Sequence, residues 1–182
     1  MRVPRTFVFV DLSAFTDYTA VHGDDAAGRI LANFRALVRE VTSEHGIRIA
    51  KWLGDGAMIV ALDHTSAIAA ALEMEDRATQ ACAPLSLRVG MASGLALLFE
   101  GDDYIGSAVN LAARLCDLAG PFEVLIPADQ VEPLPDGVTA IPHGALPLKG
   151  FREPVEVMEL SGRVSAARHD TEELWTRNPF AV

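Results

Sequence analysis

Two aspartates are the residues of this chain best placed by type and setting to do chemistry. Asp11 closes the apolar run of FVFVDLSAFT, and Asp55 sits in the GDG of IAKWLGDGAMIVALD, whose flanking runs mark it as a hairpin turn. Carboxylates that converge are hard oxygen ligands of the kind Mg²⁺ or Mn²⁺ takes one or two at a time, with water and phosphate oxygens completing the shell. Taken singly, each reads as an ordinary turn or capping aspartate. Lys51 places a cation four residues before Asp55, on a strand that otherwise reads as buried. Asp103, in GDDYIG, is its candidate partner. An ammonium can donate to adenine N1 and a carboxylate can accept from the N6 amine, whereas guanine presents the reverse pattern. As isolated charges both are ordinary solvated side chains.

A further constellation lies on GSAVNLAARLCDL. At helical spacing Ser107, Asn110, Arg114 and Asp117 share one face, while Val109, Ala112, Ala113 and Cys116 form the expected apolar stripe. Leu111, Leu115 and Leu118 flank the polar strip, which is therefore expected in a cleft or interface, with a plain solvated face as the alternative. Asn110 and Arg114, one turn apart, could hold a sugar oxygen and a phosphate.

The elements that must position these residues follow from periodicity. A strand is expected over residues 6–11, and a helix over 24–44 with Ile30, Leu31, Phe34, Leu37, Val38 and Val41 on one face. Hairpin strands over 47–53 and 57–63, a helix over 65–80 and a strand over 85–91 complete a β-α-β-β-α-β order. That order defines an α+β, ferredoxin-like antiparallel sheet with helices on one face. GLALLFEGDDYIG reads as a glycine-rich acidic connection, and residues 106–120 as a third helix. FEVLIP reads as a strand and 127–147 as irregular chain. LPLKG and VEVMEL read as a closing pair of extra C-terminal strands. The expected organisation is one domain over residues 1–160 and a tail over 161–182, with one short helix around Thr171–Trp175.

Composition narrows the field. The 182 residues are half hydrophobic and only 7% aromatic, enough for one substantial core. The formal charge of −10 supplies no basic face, so neither a nucleic-acid backbone nor an anionic membrane is an expected partner. A polyphosphate would need its charge met locally, which divalent cations would do. Cys82 and Cys116 form no ligand pair, and the five histidines lack ligand spacing. With no apolar leader and no membrane-spanning run, the expected location is cytoplasmic. P-loop and GxGxxG patterns are absent, so a nucleotide would be bound some other way.

Taken in order, FVFVDLSAFT, KWLGDGAMIVAL, LRVGMASG, YIGSAVNLAARL and LPLKGFREPVEVMEL resemble the class III adenylate cyclase catalytic domain of bacterial type, over roughly residues 5–160. The resemblance implies that fold and conversion of ATP to 3′,5′-cyclic AMP and pyrophosphate with two divalent ions, Mg²⁺ or Mn²⁺. It implies Asp11 and Asp55 as metal ligands, Lys51 and Asp103 as the base-selecting pair, and Asn110 and Arg114 as the ribose and phosphate residues. Lys149 in the LKG motif resembles a triphosphate-contacting lysine of some members. It further implies a head-to-tail homodimer in which each site takes its metal ligands from one chain and its base, ribose and phosphate contacts from the other. The alternative is a catalytically silent cyclase-homology domain that binds nucleotide or serves as a regulatory partner.

Overall fold

Alternation along the first strand sets the architecture. In the computed structural model, which describes residues 2–99 and 103–162, β1 (Arg2–Leu12) sends Val8, Val10 and Leu12 to one face of a sheet and Phe7 and Phe9 to the other. Both faces are covered. On the first lie α2 (Asp24–Glu44) and α3 (His64–Ala81), whose stripes Ile30, Phe34, Leu37, Val38 and Val41, and Ile68, Ala71 and Met74, are buried against β1 and its neighbours. The second carries α4 (Ser107–Leu118), packed through Ala108, Leu111, Ala112 and Leu115. A short α1 (Phe15–His22) buries no residue and joins α2 at Gly23. No apolar periodicity announces it in the sequence.

The hairpin of β2 (Arg48–Leu53) and β3 (Gly56–Ala61) is connected by Gly54 and Asp55 alone. Gly54 takes a φ of 71°, which glycine adopts without the clash a Cβ would bring and which tight hairpins use at this position. β4 (Leu87–Phe99) runs antiparallel to β1, and the sheet order β2-β3-β1-β4 is that of the expected βαββαβ core. β6 (Val124–Pro127), β8 (Val155–Gly162) and β7 (Val138–Leu146) extend it beyond β4.

Two stretches differ from expectation. The glycine-rich connection is a hairpin, because β4 continues to Phe99 and pairs with β5 (Asp103–Ile105). The chain expected to be irregular contains β7, which pairs with β8 in place of LPLKG. Pro142 interrupts the strand pattern, yet an edge strand tolerates it, and the register shifts between Pro142 and Gly144. The helix expected around Thr171–Trp175 lies outside the described residues, and residues 161 and 162 end β8.

One half-buried acid of α3 gives the fold a pH dependence. Burial, reinforced by neighbouring Asp76, pushes the Glu75 carboxyl up to about 7 from an ordinary value of 4.5. A raised folded value means that the fold favours the protonated acid. The associated stability is fully present below pH 4.5 and is lost as pH rises through about 7. Urea unfolding of Glu75→Gln should therefore show a shallower decline over that window than the unsubstituted chain. Equal declines would place the titration elsewhere.

Candidate active site

Register explains how Asp11 meets its neighbours. On one side it pairs with Gly56 of β3, the residue after Asp55, and on the other with Arg88 of β4. The Leu12 amide donates to the Asp55 carbonyl at 3.2 Å, carrying the ladder into the turn. Asp11 and Asp55 thus stand together at one end of the sheet, close enough for the charge of Asp55 to act on Asp11.

Arg88 donates to the Asp11 Oδ2 atom twice, from Nε at 2.9 Å and from Nη2 at 2.6 Å, and from Nη1 to the Asp117 carbonyl at 3.1 Å. Burial nevertheless holds the Asp11 carboxyl above its ordinary value. The Arg88 hydrogen bonds oppose that rise, and the charge of Asp55 adds to it. A carboxylate kept partly dry beside a second one favours an added cation. Room exists for it. A Cβ at position 56 would stand 2.9 Å from Asp11 Oδ1 and 2.8 Å from the Val10 carbonyl, so Gly56 leaves that oxygen clear. A cavity of about 340 Å³ opens here, lined by Phe9, Asp11, Gly56, Arg88, Cys116 and Asp117 among others. Among the described residues no three His, Cys, Asp or Glu side chains gather as a ready cation site. Two carboxylates needing water and phosphate oxygens to complete a shell suit Mg²⁺ or Mn²⁺.

Lys51 and Asp103 are brought into direct ion pairing, both half exposed. β2 divides its side chains between the two faces. Trp52, opposite Ala57, packs toward α2, whereas Lys51, opposite Met58, lies on the α4 side with β5. Asn110 and Arg114 are exposed on α4, and Arg114 Nη1 donates to Asp117 Oδ2 at 3.0 Å. Neither lines the Asp11 cavity, although Cys116 and Asp117 of the same helix do. The stripe that α4 buries runs through Ala108, Leu111, Ala112, Leu115 and Cys116, so Leu111 and Leu115 belong to the core and the polar strip faces outward. Lys149 is exposed in the connection before β8, beside buried Leu148. The structure therefore forms two groups within one chain: Asp11 with Asp55, and Lys51 with Asp103. Asn110 and Arg114 form a separate outward face.

Arg88 is the residue that sequence reasoning missed. Its signal is a lone charge inside the apolar LSLRVGM strand, which register sets directly opposite Asp11.

No family model matches the sequence. An uncharacterized protein of Mycobacterium tuberculosis is 38% identical over 163 residues, covering 90% of this chain and 43% of its own length. A pH-sensitive adenylate cyclase of the same species is 30% identical over 161 residues, covering 85% and 40%. The chain thus spans less than half the length of these relatives. Among solved structures, the adenylyl cyclase CyaB from P. aeruginosa superposes with a TM-score of 0.76 at 25% identity, over 88% of this chain and 95% of that one. The guanylyl cyclase Cya2 has the same fold, with a TM-score of 0.75 at 21% identity over 89% and 93%. The mixed α+β sheet is that of a nucleotide cyclase. The chain belongs with the class III nucleotide cyclase catalytic domains.

Proposed function

We propose that this domain is an adenylate cyclase that acts as a homodimer with two composite sites. The observation that carries this reading is the meeting of Asp11, at the end of β1, with Asp55, in the turn before the adjacent antiparallel β3, at a cavity that Asp11 lines, in a chain of cyclase fold. Divalent cations bound there would neutralise the triphosphate and favour the ionised ribose 3′-oxygen. The 3′-oxygen attacks the α-phosphorus, the bond to the β-phosphate oxygen breaks, and pyrophosphate leaves. Asn110 orients the ribose, and Arg114 stabilises the charge that develops on the phosphorus. Lys51 and Asp103 select adenine, and their pairing holds both groups ready at one spot.

Two features support a second chain. Asn110 and Arg114 are exposed, and neither lines the Asp11 cavity of its own chain. Leu97, Phe99 and Ile105 share one exposed apolar face of the β4–β5 hairpin beside Asp103, and Leu118 is exposed at the end of α4. An exposed apolar patch beside polar site residues marks an interaction surface.

The test is cyclic AMP formation from ATP with Mn²⁺ across a range of protein concentrations. Product rising more steeply than protein supports the two-chain reading. Product strictly proportional to protein down to high dilution opposes it, and no product at any concentration moves the assignment to a silent homologue. Base selection has its own check. Lys51→Glu combined with Asp103→Ser should lower ATP turnover on the order of a hundredfold, because the donor and acceptor offered to adenine would no longer match it. Unchanged turnover with ATP over GTP would remove the pair from base recognition.

A further inference from the structure

Trp52 is the conspicuous residue of the hairpin to which the proposed chemistry gives no task. Its ring meets fully buried Phe34 of α2 edge-on, with centroids 6.2 Å apart. The Arg35 and Arg39 guanidinium carbons each lie 5.2 Å from the Trp52 ring centroid, within cation–π reach. Arg35 goes one step further, and its Nη2 donates to the Gly54 carbonyl at 3.3 Å. The same guanidinium keeps Nε buried without a hydrogen-bond partner. A cation free to orient itself would turn that N–H to water, so its direction is set by the ring and the turn.

The two-residue connection therefore has two external anchors. β1 holds it through Leu12 N on the Asp55 carbonyl, and α2 holds it through Arg35 on the Gly54 carbonyl. Losing either leaves the turn to pivot about the other, at a glycine with unusual backbone freedom. We propose that Arg35, braced on Trp52, is a positioning residue that fixes where the turn presents Asp55, so that the placement of α2 sets the affinity of the Asp11–Asp55 pair for a divalent cation. This rests on the reading of Asp55 as a metal ligand.

The sign of the effect separates positioning from simple charge. Arg35 is a cation near the pair, so removing its charge alone strengthens cation binding. Removing the brace weakens it, as losses of groups that orient a ligand do, by about tenfold. The experiment is Mn²⁺ titration of the nucleotide-free chain, followed by the electron paramagnetic resonance signal of free Mn²⁺. Arg35→Gln should bind Mn²⁺ about tenfold more weakly, and Trp52→Leu, which changes no charge, should weaken binding in the same direction. Arg39→Gln, which loses a cation without any bond to the turn, should bind no more weakly than the unsubstituted chain. If Arg35→Gln folds poorly by circular dichroism, Arg35→Lys decides, since it keeps the charge but lacks the planar fork that spans ring and carbonyl. Undiminished or tighter Mn²⁺ binding in Arg35→Gln, or in Arg35→Lys where that variant decides, overturns the proposal when Asp55→Asn abolishes binding. Full Mn²⁺ binding by Asp55→Asn overturns the metal reading itself, and the proposal with it.

Discussion

Mixing Asp55→Ala chains with Arg114→Ala chains is expected to restore cyclic AMP formation to about a quarter of the unsubstituted rate, although each variant alone is inactive. The argument is one of symmetry. In the proposed dimer each site joins the aspartates of one chain to Asn110 and Arg114 of the other. A mixed dimer then holds one site with both defects and one site with none. Half of randomly paired dimers are mixed, and half of their sites work. Each single variant should lose activity on the order of a hundredfold or more, since each removes charge stabilisation where charge develops. The geometry makes the test sharp. Arg114 and Asp11 share one chain, and α4 even contributes Cys116 and Asp117 to the Asp11 cavity, but Arg114 itself does not line that cavity and is engaged by Asp117 Oδ2 at 3.0 Å. Were the site built within one chain, mixing two dead variants would restore nothing. Cyclic AMP measured over a series of mixing ratios, with a maximum near equal amounts, distinguishes the two arrangements.

The sequence was most legible where local pattern and tertiary demand agree. The α2 stripe from Ile30 to Val41 and the GDG hairpin can each be read from spacing alone, and the β2-β3-β1-β4 order follows from the element order. Asp11 and Asp55 could be brought together on paper because an antiparallel neighbour must turn where β1 ends. What could not be read depends on partners distant in the chain. Arg88 looks like one charge in an apolar strand until register sets it opposite Asp11. β7 hides behind Pro142 and Gly144, whose presence is explained only by its place at the sheet edge. The polar strip of α4 was bracketed by leucines, and only packing shows that Leu111 and Leu115 point into the core while Leu118 stays exposed. The same limit applies to Trp52, whose task depends on α2 residues Arg35 and Arg39.

Gly90→Ala should be among the most damaging single substitutions outside the site residues. A Cβ built at position 90 would stand 2.1 Å from the Cys116 amide nitrogen, 2.4 Å from the Ala112 carbonyl oxygen and 2.7 Å from the Leu115 carbonyl carbon. All three are backbone atoms of α4, so no side chain can turn aside and the helix must lift from β4. Overpacking of this kind destabilises by about 1–3 kcal/mol and occasionally more. The helix also carries Asn110 and Arg114, and a displacement of about 1 Å in a positioning element can cost on the order of a hundredfold in rate. The substitution therefore separates two consequences of one contact. Thermal unfolding should report a lowered Tm. At temperatures where the variant remains folded, kcat should fall while Mn²⁺ binding by the nucleotide-free chain, proposed to depend on Asp11 and Asp55, stays near normal. A variant with unchanged Tm and kcat would mean that α4 does not rest on Gly90 as described. One that loses Mn²⁺ binding and kcat together would place Arg88 and Asp117, the link from α4 to Asp11, in control of both halves of the site.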